Sequence, residues 1–269
     1  MPIELLMAIS GLVAGAFGAM LGLGGGVLIV PLLTLGFDIP LSAAVGTSLI
    51  CVIATSTGAA AINVRAGRAD VRLGITLGAG TVVGALAGGV AAGFLPERLL
   101  AGLFAALLAY TALTMLQRLR GGESEATDAP ALDPASPDGP SAPAYRSHRL
   151  PPALGGSFLA GNVSGLLGVG GGIVTVPLVH LVMGAPMKVA VATSNFMLGM
   201  TAAAGAYTYL FRGDVDPRVA APMVVGVALG AALGASIGPR IRTAWLTATF
   251  VVVVAYVAVQ MGLRALGSA

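Results

Sequence analysis

The sequence predicts an all-α polytopic membrane protein. It reads as two copies of about five helical segments, with one short or broken segment in each copy. Three observations predict this. First, 57% of the 269 residues are apolar and 9% are charged, with a mean hydropathy of +0.94, whereas soluble domains carry roughly 25% charged residues. So few charges cannot cover a water-facing surface, which argues against a soluble enzyme. Disorder along the whole chain would need low hydrophobicity. Second, the apolar residues form long unbroken runs, not the alternation of a transmembrane β-barrel. The 40 glycines follow no Gly-X-Y period, which excludes collagen. Third, the second half of the sequence repeats the first at a shift of 146 residues.

The first run covers residues 5–22. Glu4 stands where a signal peptide would carry its basic region, so this run reads as the first membrane helix. Runs at 25–37, 41–64, 72–94 and 97–117 complete the first set. A helix needs roughly 20 residues to cross about 30 Å of hydrocarbon. The long runs meet that length, whereas 25–37 is short and contains Pro31. Residues 118–150 are rich in Pro, Ser, Gly and acid, and hold Glu123, Glu125, Asp128, Asp133 and Asp138. With no apolar period, they are expected to be a disordered cytoplasmic linker. The second set falls at 153–168, 172–184, 187–211, 217–238 and 243–263, and its short member contains Pro177. The expected domains are therefore a first repeat at 1–117, the linker at 118–150 and a second repeat at 151–269.

The repeat needs no gap. GLGGGVLIVPL at 22–32 superposes on GVGGGIVTVPL at 168–178. The same shift pairs Pro40 with Pro186, Thr47 and Ser48 with Thr193 and Ser194, Gly67 with Gly213, and Asp70 with Asp216. From Gly15/Gly161 to Arg72/Arg218, 20 of 58 pairs are identical. Internal duplication in a membrane protein is typical of secondary transporters. Orientation follows from Lys and Arg in short loops. If all ten segments cross, ten cations lie on the side of the central loop and four on the other. That count puts the loop inside and makes the two copies inverted. Eight spans with parallel copies fit the count less well.

The most specific motif is G-x-G-G-G-(x)4-P at 22–31 and 168–177. Gly24, Gly25, Gly26 and Gly170, Gly171, Gly172 are poor helix formers inside apolar segments. A break there would start a half-helix near the membrane interior, whose free N–H groups and partial positive charge suit an anion. The competing reading is close helix packing. Packing fits Gly11, Gly15, Gly18 and Gly22, spaced by three or four residues, and Gly226, Gly230, Gly234 and Gly238, spaced by four, better than it fits a triplet. No strand precedes the glycines and Val27 fills the last glycine position, so this is not a dinucleotide fingerprint.

About 20 residues beyond each triplet stand adjacent polar residues: Thr47-Ser48, and Thr193-Ser194-Asn195. Polar groups in an apolar span need partners. They either bond back to the preceding helical turn or face a ligand. Asn162 and Ser164, just before the second glycine block, could join them. His180 is the one ionisable residue inside an apolar segment. It reads either as a site of proton coupling or as a residue facing the interface. Tyr207, Tyr209 and Trp245, near segment ends, read as interfacial anchors. Cys51 is the sole cysteine, so the chain has neither an intrachain disulfide nor a thiolate metal cluster. Metalloprotease, Ser-His and Walker patterns are absent, so neither catalysis nor ATP use is expected, and no cofactor is implied. The basic balance of +3 reflects loop arginines, not nucleic acid binding.

With the duplicated glycine–proline block and the Ala-x-x-Thr-Ser at 44–48 and 190–194 in view, the chain resembles the TauE/SafE sulfite exporter family. The resemblance covers nearly everything outside the linker, which is long and acidic for the family. It implies a bacterial inner-membrane carrier of sulfite, an organosulfonate or a related small anion. The residues and the resemblance together point to a secondary transporter working by alternating access. An anion channel, or a non-transporting membrane scaffold, is the alternative. The expected partners are the small anion and the lipid bilayer.

Overall fold

The computed structural model of the chain describes residues 3–21, 25–65, 67, 69–120, 150–237 and 243–266. It is all-α among those residues: α1 (Ile3–Leu21), α2 (Gly26–Pro31), α3 (Leu41–Arg65), α4 (Val71–Ala92), α5 (Glu97–Arg120), α6 (Leu150–Leu167), α7 (Gly172–Pro177), α8 (Met187–Arg212), α9 (Pro217–Ile237) and α10 (Thr243–Leu266). The π-helical turns Leu32–Gly36 and Leu178–Val182 extend α2 and α7. Every predicted run corresponds to one of these helices, with ends a few residues away. Gly24 and most of the linker, 121–149, lie outside the described residues.

Local chemistry sets the boundaries. Asp70 caps α4, its Oδ1 accepting the Leu73 N–H at 2.9 Å. Gly213, at φ 75°, ends α8, and Pro217 opens α9. The break comes at the glycines, as expected. At Pro31 and Pro177 the helical path continues, and the hydrogen-bond ladder widens to π just afterwards.

Among the described residues, seven helices (α1, α3, α4, α5, α8, α9 and α10) are long and apolar enough to cross a membrane, and Gly26–Gly36 and Gly172–Val182 are shorter apolar helices. The chain is a polytopic α-helical membrane protein. Large apolar side chains face outward, among them Leu6, Val83, Phe211 and Val252. Lipid, not water, is the medium such a surface needs.

Glycines let backbones touch at two interfaces. In the first, α1 packs on α9: Gly226 lies against Ala8, Gly230 against Leu12 and Gly234 against Ala16. In the second, α6 packs on α4: Gly84 lies against Phe158, Gly88 against Asn162, and Gly161 against Thr81. These contacts recur at positions 146 residues apart: Gly84–Phe158 corresponds to Gly230–Leu12, and Gly88–Asn162 to Gly234–Ala16. Both pairs run parallel. Helices α3 and α8 pack together at the centre, and α5 and α10 pack together beside them.

Polar contacts identify the two ends of the bundle. Arg264, in the last turn of α10, donates to the Thr34 carbonyl at 2.9 Å and to the Asp38 carboxylate at 3.0 Å. Glu97, opening α5, accepts the Leu41 N–H that opens α3. Arg212, closing α8, donates to the Gly89 carbonyl near the end of α4. All of these belong to one end, the Asp38 end. At the opposite, Asp70 end, the start of α4 meets the start of α8. The parallel packings then put the start of α1 at the Asp38 end and the start of α6 at the Asp70 end.

Tyr209 corrects one expectation. It is fully buried, not interfacial, and donates to the Gly165 carbonyl at 2.9 Å. The Arg212 guanidinium stacks 4.5 Å from its ring centre. Tyr207 is 62% exposed and does face outward. The Trp245 side chain lies outside the described residues.

Candidate functional site

The polypeptide leaves helical geometry at both glycine blocks through positive φ angles. Gly25 has φ 78°, and Gly170 and Gly171 have φ 82° and 79°. L residues avoid this region because Cβ crowds the following carbonyl. Gly25 and Gly171 sit at the N-caps of α2 and α7. Their carbonyls accept the first helical bonds, from Leu28 and Val174. The amides of Gly26 and Val27, and of Gly172 and Ile173, therefore stand before the ladder begins. Gly26–Gly36 spans 11 residues, about 16 Å at 1.5 Å per residue. Its last residues lie at the Asp38 end, so Gly26 sits inward by about half of a ~30 Å hydrocarbon core.

The two blocks meet. A Cβ on Gly26 would stand 2.7 Å from the Gly168 carbonyl oxygen. The Ser48 hydroxyl, on α3, donates to that same oxygen at 2.8 Å and lies 3.4 Å from the Gly26 carbonyl. Ser48 thus ties the first glycine block to the second. On α8, Ser194 pairs with Thr175 at 2.5 Å, and Thr175 donates to the Gly171 carbonyl at 3.1 Å. With the Thr175 hydrogen committed to Gly171, the Ser194 hydroxyl is the donor in that pair. Val52 and Leu198 pack against Gly170, so the layer is walled by apolar side chains.

The other predicted residues divide. Thr47, Ser48, Thr193 and Ser194 have no exposed surface. Thr193 Oγ1 accepts the Asp70 N–H at 3.0 Å, so it holds the α3–α4 turn and does not touch the glycines. Thr47 Oγ1 is buried with no hydrogen-bond partner. Asn195 is half-buried on α8, and no hydrogen bond joins its amide to the other site residues among those described. Ser164 does join the site: its Oγ is buried without a partner, 3.7 Å from where a Gly171 Cβ would be. His180 lies apart from the glycine layer, its Nδ1 bonded to the Ala185 carbonyl at 2.8 Å. A carbonyl only accepts, so Nδ1 carries the hydrogen and Nε2 is the nitrogen left to take up a proton.

Two residues escaped the sequence reading. Gly168 supplies the carbonyl that Ser48 holds, and Thr175 links Ser194 to Gly171. Gly168 was visible as the first glycine of its motif. Thr175 faces Ile29 in the repeat, and that asymmetry was the available signal.

Two cavities, each about 280 Å³, lie at the Asp38 end. One is lined by Thr34, Leu41, Glu97, Arg98, Met261 and Arg264. The other is lined by Leu35, Tyr256, Gln260 and Arg264. Thr34 and Leu35 belong to the segment whose inner end is the first glycine break.

Comparison with known proteins gives a consistent picture. The family model for the sulfite exporter TauE/SafE matches residues 7–261. The chain is 26% identical over 228 residues to the probable membrane transporter protein YunE of Bacillus subtilis (strain 168), covering 82% of this chain and 83% of that one. It is 30% identical over 211 residues to a probable membrane transporter protein of Methanocaldococcus jannaschii, covering 76% and 72%. A third relative, the probable membrane transporter protein YdhB of Bacillus subtilis (strain 168), is 36% identical over 119 residues, 44% of this chain and 47% of that one. No solved structure matches the chain significantly.

Proposed function

We propose a function from one premise: the chain belongs to the sulfite exporter TauE/SafE family, and it is a membrane transporter. The substrate is a small anion, sulfite or an organosulfonate-type compound. It moves across the bacterial cytoplasmic membrane by alternating access of two inverted repeats, residues 1–117 and 151–269, joined by the cytoplasmic linker. The glycine layer is the binding site. Gly25, Gly26, Gly170, Gly171 and Gly172 bring backbone amides to the anion, and Ser48, Ser194 and Asn195 supply hydroxyl and amide donors. The observation that carries this reading is the Ser48 bond to Gly168, made where Gly26 abuts the second block. One hydroxyl there touches carbonyls of both glycine blocks.

The hydroxyl hydrogens of Ser48 and Ser194 rest on protein acceptors in this conformation. An arriving anion competes with those acceptors, and χ1 rotation turns each O–H toward it. Contacts recurring at a 146-residue shift support the repeat. The arginines of the Asp70 end support placing that end in the cytoplasm. His180 is the candidate for proton coupling, through Nε2. The test is a thermal-shift screen of sulfite, sulfate and methanesulfonate on purified protein. A bound anion at 100 times its Kd stabilises by about 2.7 kcal/mol. Saturable sulfite counterflow in proteoliposomes then separates a carrier from a channel. Absence of both stabilisation and flux with all three anions overturns the reading.

A further inference from the structure

The shift of 146 residues pairs Thr193 with Thr47 and Asp70 with Asp216. These pairs are in different states. At the Asp70 end, Thr193 Oγ1 accepts the Asp70 N–H at 3.0 Å, pinning the turn between α3 and α4 onto α8. At the Asp38 end, the corresponding hydroxyl, Thr47 Oγ1, is fully buried and has no partner. The turn that would satisfy it is close by. A Cβ on Gly46 would meet Val215 Cγ2 at 2.7 Å, so the chain one residue before Asp216 already lies on α3 beside Thr47. Asp216 is otherwise arranged like Asp70. Its Oδ1 accepts the Arg218 N–H at 2.9 Å, and its carbonyl accepts from Val219 and Ala220 at the start of α9. A buried hydroxyl without a partner is costly, and native structures keep one only for a reason. Both cavities open at the same end as the unmade bond.

The geometry points to Thr47 and Thr193 as alternating latches of the transport cycle: Thr193 holds the Asp70 end closed here, and Thr47 takes the Asp216 amide when the Asp38 end closes. The two repeats thereby exchange states, one bond forming as its counterpart breaks. The threonines act as positioning residues, through the turns they hold. This inference rests on the alternating-access reading above, and it gives Thr47 a task distinct from touching the anion.

The test uses full-length protein carrying a reporter cysteine at one of two equivalent positions, Ala69→Cys or Val215→Cys. Native Cys51 is buried and stays in place. Each reporter is combined with Thr47→Val, Thr193→Val or the hydroxyl-retaining Thr→Ser variants. Maleimide labelling is read without substrate, and sulfite flux is read in proteoliposomes. Thr193→Val is expected to raise labelling at residue 69 about five-fold, the ratio one net hydrogen bond supplies. Thr47→Val is expected to leave labelling at residues 69 and 215 as in the wild type and to slow flux by about the same factor. Serine at either position should restore wild-type behaviour. Wild-type flux in Thr47→Val overturns the proposal, as does a rise at residue 69 in both valine variants. Weaker sulfite binding in both, with labelling unchanged, also overturns it and makes the threonines ligands. A wild-type chain that moves no sulfite counts against the transport reading instead, and the labelling still decides whether the latches alternate.

Discussion

Gly25 and Gly26 are neighbours constrained by different forces, and single substitutions separate them. At Gly25 there is room, since an added Cβ would meet nothing closer than 3.7 Å. The left-handed backbone is the obstacle there, worth about 1–2 kcal/mol for alanine. At Gly26 the backbone is helical, and the obstacle is the Gly168 carbonyl 2.7 Å away, an overpacking cost of about 1–3 kcal/mol. Gly25→Ala should therefore fold with a lowered Tm and retain some flux. Gly26→Ala should push the two glycine blocks apart and lose sulfite flux. Thermal unfolding in detergent, paired with a flux assay, checks both, and unchanged flux in Gly26→Ala would mean that the blocks need not touch. His180 gives a second residue-scale test. Its Nδ1–H donates to the Ala185 carbonyl at 2.8 Å and fixes the ring. If it couples protons, His180→Gln should flatten the dependence of flux on pH. A profile like wild type removes it from the mechanism. The glycine breaks were legible in sequence because consecutive glycines are poor helix formers. The role of Tyr209 was not legible. Position near a segment end suggests an interface, but the direction of a side chain around its helix depends on a neighbour, here α6, distant in sequence.

At the scale of elements, the discontinuous helices owe their position to glycine-mediated contacts elsewhere. Helix α1 leads into α2 and is held by α9, and α6 leads into α7 and is held by α4. Both interfaces bring backbone onto backbone with no room for a side chain at Gly84, Gly88, Gly230 or Gly234. In a bilayer, such close packing replaces the hydrophobic force that assembles soluble helices. Gly230→Leu should accordingly reduce the yield of monodisperse protein in size-exclusion chromatography. Gly36→Ala, where an added Cβ meets nothing within 4 Å, should behave like wild type. Equal yields from the two variants would show that α1 tolerates separation from α9. The four-residue glycine spacing announced close packing in the sequence. It did not announce the partner, because spacing defines a face and leaves open which helix covers it. The π turns after Pro31 and Pro177 were likewise unreadable: a proline forbids one hydrogen bond, but only the surrounding contacts decide whether the chain bends, breaks or widens.

For the whole molecule, the bilayer makes the fold legible, because spanning segments must be apolar and long and must satisfy their own backbone. How the segments assemble was hidden, along with which polar residues end up together. That distribution governs how an anion is handled. Three arginines with described contacts or cavity positions, Arg98, Arg212 and Arg264, all lie at the Asp38 end. At the glycine layer the described groups are hydroxyls and backbone amides, with apolar walls from Val52 and Leu198. Neutral donors replace an anion's hydration only in part, and among the described residues no opposite charge stands there to add Coulomb energy. Affinity should therefore be modest, about −4 to −8 kcal/mol, or millimolar to micromolar. That suits a carrier, since a site that binds tightly also releases slowly. A second consequence concerns salt. Screening acts on exposed charges separated by more than about 10 Å at 0.1 M, and a buried site of neutral donors offers it little to act on. Raising an inert salt from about 0.05 to 0.5 M should therefore leave the equilibrium Kd nearly unchanged, whatever it does to the rate of capture. Isothermal titration of sulfite at several ionic strengths gives the Kd, and initial uptake rates in proteoliposomes give the capture step. A nanomolar Kd, or a Kd that weakens steeply with salt, would require a guanidinium or ammonium on the bound anion and would replace the neutral site with a charged one.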